Sequence, residues 1–280
     1  MDAIGEIHQA TQKDLSRVAS FINSSPFIHR HLDWRNTFEW LESSPFLILS
    51  EAGQIRAILS AAPDPPGAAW IRCFAIGKSV SPDAAWNLLS AYAQNILDTM
   101  EARMVAVGLQ EWFSQLLIRH GFTVKQKIVV LEWDGHHRLL QLSPVDGLLI
   151  RPMESSDIPE VSEVDRNSFE PVWVNSQPSL QAAFLQADHT TVAEIDGHII
   201  GYELSTAAQF NGHLARLAVL PEYRHHAIGR ALVSGMLVHF TQRGFLQVTV
   251  NTQSDNDSSL HLYKAMGFRP TSEEFPVLYK

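Results

Sequence analysis

The same order of predicted elements occurs twice in this chain of 280 residues, and this repeat constrains the fold most strongly. Each half has a strand, a helix, a strand–turn–strand hairpin and a further strand, then a long helix, a strand, a shorter helix and a last strand. The hairpin turns are Ala52-Gly53 and Asp196-Gly197, and the shorter helices end in Gly121-Phe122 and Gly267-Phe268. A duplicated unit accounts for this order.

Turn signals between the halves set the expected domain boundaries. A chain of this length is expected to form two domains of about 130–150 residues each. Ser143-Pro144 and Asp146-Gly147 favour turns between the two patterned halves. We therefore expect a first domain at 1–135, a linker at 136–147 and a second domain at 148–280.

Charge and composition narrow the classes of partner. The chain carries 30 acidic and 21 basic residues, a net charge of −9, which argues against nucleic acid as a general partner but permits a cationic amine. The single cysteine, Cys73, excludes an intramolecular disulfide and a cysteine-pair metal site. The first residues lack the pattern of a signal peptide, and no apolar run approaches the roughly 20 residues that span a bilayer. We expect a cytoplasmic protein that does not bind membranes.

A strand, a turn begun by Pro221 and a long helix form the first chemistry-bearing segment. Small residues at Ala227 and Gly229 would let a ligand approach the backbone closely. The free N–H groups and the dipole of a helix start suit an anion such as a pyrophosphate. Arg224 and Arg230 could add charge-assisted contacts.

Together with a second segment, this pattern resembles the GNAT N-acetyltransferase superfamily. Arg224-x-x-Ala227-x-Gly229 is similar to the family's acetyl-CoA pyrophosphate loop, with alanine in place of its first glycine. Asn256, followed by a helix that carries Tyr263 and ends in Gly267-Phe268, is similar to the family's second motif. The resemblance covers the C-terminal half.

The resemblance implies a fold, a cofactor and a set of site residues. The implied fold class is α+β, with two tandem GNAT-like domains that each have a central, mostly antiparallel, twisted mixed sheet flanked by helices. Acetyl-CoA is the implied acetyl donor, with no metal. Tyr263 would protonate the leaving thiolate as a general acid. The implied coenzyme-binding residues are Leu217, Ala218, Val219, Arg224, His225, His226, Ala227, Ile228, Gly229, Arg230 and Asn256.

The expected mechanism is direct attack of an amine on the thioester, and the general base is left open. Its candidates are Glu203, His213 or a chain of water molecules. Relatives that acetylate a ribosomal protein carry a glutamate where this chain has Asn251, so that assignment does not transfer. Phe169 and Trp173 are the candidate acceptor-binding residues, as an apolar wall.

The N-terminal half resembles a degenerate GNAT domain. Its loop at Gly77-Lys78-Ser79 lacks the arginine–glycine pattern, and Gln110 and Leu117 stand where Asn256 and Tyr263 stand in the other half. One active site per chain is therefore expected, in a monomer or a homodimer.

Three functions are compatible with the sequence. The first is an N-acetyltransferase that acts on a small amine, an aminoglycoside-like compound or a peptide N-terminus. The second is acetylation of a thiol-sugar amine, which is implied because the two-domain plan resembles that of mycothiol synthase. The third is a non-catalytic acyl-CoA sensor or scaffold.

Overall fold

The computed structural model describes residues 5–135, 145–209 and 211–280. The chain forms two compact units, Met1–Lys125 with Phe275–Lys280, and Gln126–Glu274. Residues 136–144 of the expected linker lie outside the described residues. The expected boundaries at 1–135 and 148–280 stay predictions.

The first unit contains an antiparallel sheet with a helix packed on each face. Its elements are β1 (Glu6–Gln9), α1 (Leu15–Ser24), β2 (Phe27–Arg30), β3 (Phe46–Glu51), β4 (Gln54–Ser60), β5 (Ala68–Trp70), β6 (Cys73–Ile76), α2 (Pro82–Thr99), β7 (Arg103–Val107), α3 (Glu111–Arg119) and the start of β8 (Thr123–Trp133). The sheet order is β1-β3-β4-β6-β2, and all neighbours are antiparallel. In addition, β7 pairs in parallel with β5.

Alternation along the strands produces two separate cores in this unit. Phe74 and Ile76 of β6 face α2 and pack with Trp86, whereas Cys73 and Ala75 face the core on the α1 side. Cys73 is fully buried, as the apolar run around it predicts. Both faces of the sheet are thus covered.

The second unit contains a mixed sheet with helices on both faces. After the rest of β8, its elements are β9 (Leu149–Pro152), α4 (Ile158–Ser168), α5 (Gln177–Gln186), β10 (His189–Ile195), β11 (His198–Ala208), β12 (Asn211–Val219), α6 (Ile228–Gln242), β13 (Gln247–Gln253), α7 (Asp257–Ala265) and the start of β14 (Arg269–Tyr279). The strands follow the order β8-β13-β12-β11-β10-β9. Only the β12–β13 pair among them is parallel.

The two faces of this second sheet carry different chemistry. The face toward α6 holds an apolar core with Trp133, Met236 and Phe240. A Cβ added at Gly212 would lie 2.9 Å from the Phe240 ring, so strand and helix approach closely there. The opposite face, toward α4, carries the buried Tyr202 hydroxyl.

The fold class expected from the sequence is confirmed in both units. The main difference from the repeat lies after the first helix of each half, where the first unit inserts β2 and the second inserts α5. Among the described helices, none is long and apolar enough to cross a membrane.

Candidate active site

The site is built around one edge of β12 that loses its neighbouring strand. The parallel pairing of β12 with β13 runs from Asn211↔Gln247 to Leu214↔Val250. Beyond this point β12 continues to Val219 against β11, and β13 continues to Gln253 against β8. In the described part of the chain the two strands therefore separate after Leu214, and an opening lies between them.

Backbone N–H groups of β12 face this opening. The N–H of Leu220 donates to the carbonyl of Ile200 at 2.9 Å, which places the paired backbone groups of residues 220, 218 and 216 on the β11 side. The groups of Leu217 and Val219 then point to the opposite edge, where β13 has diverged. These two residues are among the coenzyme-binding residues predicted from the sequence, whereas Ala218 is buried between them.

The loop that follows β12 is held in an unusual backbone conformation. His225 and Ala227 have φ values of 66° and 62°, in the left-handed region that non-glycine residues rarely adopt. Ala227 caps α6, and its carbonyl accepts the first helical bond, from Ala231. The N–H groups of the following residues, Ile228, Gly229 and Arg230, have no partner within the helix because no earlier turn exists. This helix start is an anion-binding arrangement.

Two of the predicted polar groups stabilise the loop itself. Arg224 Nε donates to the Val219 carbonyl at 3.1 Å, and its Nη2 donates to the Ser168 carbonyl at 2.9 Å. His226 Nδ1 lies 2.9 Å from the Arg224 carbonyl oxygen. Arg230 is exposed and makes no contact of this kind with the described residues. Of the two arginines, Arg230 has the freer guanidinium.

Helix α7 lies against the start of α6. A Cβ added at Gly229 would come within 3.3 Å of the Leu262 side chain and 3.9 Å of Val219, so this glycine permits the close approach of three elements. The neighbouring Tyr263 is 5% exposed, and burial raises the pKa of its hydroxyl. The phenol is therefore protonated at neutral pH. The structure thus brings the loop, the open edge of β12 and the tyrosine helix together.

Asn256 has a structural contact that the sequence analysis did not predict. Its side-chain oxygen accepts the N–H of Ser259 at 3.1 Å and so caps the start of α7. The side-chain amide lies 3.5 Å from Gln253 Oε1. Its predicted contact with the coenzyme stays a prediction.

A buried ion pair contacts Phe169 and Trp173, the two residues predicted to bind the acceptor. Arg216 Nε and Nη2 donate to the two carboxylate oxygens of Asp165 at 2.8 and 2.9 Å, and Nη2 also donates to the Trp173 carbonyl at 2.7 Å. The guanidinium carbon lies 3.5 Å from the centre of the Phe169 ring. Phe169 and Trp173, predicted as an acceptor wall, are thus held against a charged group that sequence reasoning missed. The available signal was a single arginine within the otherwise apolar segment 214–219.

The two candidate bases are engaged by other side chains. Glu203 is fully buried on the α6 face, where His189 Nδ1 lies 2.9 Å from Oε2, Thr191 donates to the same oxygen and Ser205 donates to Oε1. Burial raises the pKa of Glu203, against the opposing effect of these contacts. Glu203 is thus tied into a buried hydrogen-bond network and pairs with Leu217 across β11 and β12.

His213 lies where β12 and β13 are still paired, opposite Thr249. Its Nδ1 is 2.8 Å from Thr249 Oγ1, and burial lowers the pKa of the imidazole. The ring is therefore neutral at pH 7 and can accept a proton.

Within residues 5–125 of the first unit, a strand covers the equivalent edge. β6 precedes α2 as β12 precedes α6, and its edge away from β4 pairs with β2 from Phe27↔Ile76 to Arg30↔Cys73. Backbone groups that are exposed in β12 are hydrogen-bonded in β6. This gives a physical reason for the expected degeneracy of the N-terminal half, in addition to its missing motifs.

No group of three or more potential metal ligands occurs within residues 5–135, 145–209 and 211–280.

Replacing Ala227 by glycine is expected to stabilise the protein by about 0.5–1 kcal/mol, because glycine removes most of the cost of a left-handed conformation. The matched control is Ala231→Gly, four residues later inside α6, which should destabilise by about 1 kcal/mol. Urea unfolding with an unchanged m value measures both. A loss of stability in Ala227→Gly would contradict the assigned conformation.

Comparison with known proteins matches this arrangement to acetyltransferases. The profile of the Acetyltransferase (GNAT) family matches residues 158–268. An uncharacterized N-acetyltransferase of Methanocaldococcus jannaschii is 30% identical over 125 residues, which cover 44% of this chain and 78% of the relative. An N-alpha-acetyltransferase of Sulfurisphaera tokodaii is 27% identical over 143 residues, 43% of this chain and 79% of the relative.

A solved structure extends the similarity to both halves. A tandem GNAT protein from the clavulanic acid biosynthesis pathway superposes with a TM-score of 0.62 at 14% identity, over 98% of each chain. At that identity the match concerns the fold, and it includes the N-terminal unit. The chain belongs to the GNAT acetyltransferase family, in its tandem two-domain form, and is an N-acetyltransferase.

Proposed function

We propose that the second unit binds acetyl-CoA between the open edge of β12 and the start of α6, and transfers the acetyl group to a primary amine. The observation that carries this proposal is the separation of β12 from β13 beside a helix start with free N–H groups. An extended, amide-containing chain ending in a pyrophosphate suits an edge of backbone donors followed by an anion site.

The residues present fit this coenzyme. The N–H groups of Leu217 and Val219 would hold the pantetheine arm, and those of Ile228, Gly229 and Arg230 would receive the pyrophosphate. Arg230 adds an unengaged positive charge, while Arg224 fixes the loop through its bonds to two carbonyls. His225 and His226 lie within the same loop and are exposed beside the proposed pyrophosphate site.

Bound acetyl-CoA supplies a thioester whose carbonyl carbon accepts the amine and whose thiolate leaves. The N–H groups at Leu217 and Val219 would stabilise negative charge on the carbonyl oxygen. Tyr263, kept protonated by burial, is the proposed donor to the leaving sulfur. The amine loses its proton, through water, to His213 on the α4 face or to Glu203 on the α6 face. The His213 ring is neutral before it takes up the proton.

Two other functions stay as alternatives, a coenzyme-binding sensor without turnover and acetylation of a thiol-sugar amine. The sensor stays an alternative because Glu203 and His213 are both engaged by other side chains. Release of free thiol from acetyl-CoA in the presence of a panel of amines distinguishes the enzyme from the sensor. A cytoplasmic location and a monomeric or homodimeric state complete the proposal.

Isothermal titration with acetyl-CoA tests the binding site. Wild-type protein should bind one coenzyme per chain, and Arg230→Glu should raise Kd at least about tenfold, because a charge-assisted contact is replaced by repulsion. Lys125→Glu, an exposed charge reversal in the first unit, is the matched control and should bind like wild type. Absence of binding, or equal Kd values for the two variants, would contradict the site.

Tyr263→Phe tests the proposed acid. Turnover should fall about 100-fold, because the thiolate then leaves without a proton donor, while the Kd for acetyl-CoA should stay within twofold. Steady-state thiol release and titration measure the two quantities. Tyr92→Phe, on the exposed face of α2, controls for loss of a phenol elsewhere. Unchanged turnover in Tyr263→Phe would remove the acid role.

A further inference from the structure

The guanidinium of Arg216 is fixed in position and stays charged. Its Nε and Nη2 form the three hydrogen bonds to Asp165 and the Trp173 carbonyl, and its plane rests on the Phe169 ring. Burial lowers the pKa of Arg216, but the charge of Asp165 and the contacts with Tyr202 and Asp165 outweigh it, so that the pKa is raised. A group anchored on one edge and one face has little conformational freedom left to lose when a ligand binds.

Asp165 has no capacity left for a cationic substrate. One carboxylate oxygen accepts Arg216 Nη2 and the N–H of Asn175 at 2.7 Å, and the other accepts Arg216 Nε and the Tyr202 hydroxyl. The residue is fully buried. The carboxylate therefore serves to hold Arg216, and the pair presents its positive end to a ligand.

One nitrogen of Arg216 is available for recognition. Nη1 makes no hydrogen bond with the described residues, and 13% of the side chain is exposed. Because the guanidinium is planar, Nη1 points away from the edge that engages Asp165. Arg216 directly precedes Leu217, whose N–H faces the opening, and successive residues of a strand are about 3.3 Å apart. The charge of Arg216 also acts on the hydroxyl of Tyr263, the proposed acid, so this anchored donor lies near the proposed reaction centre.

We propose that Arg216 binds a carboxylate of the acceptor, so that the acceptor is an amino acid whose amine and carboxylate lie close together. This inference rests on the proposed acetyl transfer and names its substrate class. Arginine N–H groups bind carboxylates with short, charge-assisted hydrogen bonds. An α-amino acid carries its carboxylate on the same carbon as its amine, so one guanidinium beside the reaction centre can bind the first group while the second reacts. Phe169 and Trp173 supply an apolar surface for its side chain.

Leucine, leucinamide and 3-methylbutylamine form a matched series that differs only in the group next to the amine. Wild-type protein should acetylate leucine with a kcat/KM at least about tenfold above that of 3-methylbutylamine, because only leucine carries the carboxylate. Leucinamide represents a peptide N-terminus and should fall below leucine. Equal or faster turnover of 3-methylbutylamine overturns the proposal, and preference for leucinamide assigns the site to peptides instead.

Arg216→Lys tests the residue itself. Lysine keeps the positive charge beside Asp165 but removes the planar fork, so the leucine preference should shrink. Because the two amines differ in reactivity in the same way for both proteins, that difference cancels when the ratio of the variant is compared with the ratio of the wild type. Glu163→Gln, on the exposed side of α4, is a control that should keep the wild-type ratio. An unchanged preference in Arg216→Lys overturns the assignment.

A binding measurement separates this proposal from the proposed transfer reaction. Tryptophan fluorescence of the wild-type protein should respond to leucine at lower concentration than to 3-methylbutylamine without coenzyme, because Trp173 lies beside Arg216. This measurement also decides the question if Arg216→Lys fails to fold. A leucine response without acetyl-CoA binding would contradict the transfer reaction alone, whereas coenzyme binding with no leucine preference overturns the carboxylate site alone.

Discussion

The separation of β12 from β13 after Leu214 is the constraint on which the rest of the site depends. A strand inside a sheet normally has both edges hydrogen-bonded, and unpaired backbone groups in a protein interior cost free energy unless a ligand or water binds them. The backbone groups on the open edge of β12 can therefore bind a ligand whose own hydrogen-bonding groups are spaced like those of a strand. The loop and the start of α6 lie at the end of this opening because Pro221 turns the chain directly after Val219.

The two units show how one plan gives two outcomes. In the first unit a short strand, β2, occupies the corresponding edge of β6, and the sheet is complete without a ligand. In the second unit the segment after the first helix forms α5 and the chain around Phe169 and Trp173 instead. The two halves therefore differ in the segment directly after their first helix. The presence of β2 thus accounts for the covered edge of β6, and its absence from the described part of the second unit accounts for the open edge of β12.

The sequence predicted the parts that depend on local patterns. The hairpins, the turn at Pro221 and the tyrosine helix all have short-range signals, and the structure forms each of them. The sequence did not predict contacts between distant residues. Examples are the ion pair of Asp165 and Arg216, which are 51 residues apart, and the pairing of β2 with β6. Single polar residues in apolar segments do not reveal their partners. For the same reason, Arg224 and Asn256 could not be seen to stabilise a loop and cap a helix.

Hydrogen exchange of individual backbone amides, with and without acetyl-CoA, tests the central claim most directly. We predict slower exchange on coenzyme addition at Leu217 and Val219 and at residues 228–230, with no change along β6. Protection along β6, or none at Leu217 and Val219, would contradict the proposal that the coenzyme binds at the open edge of β12 and not at β6.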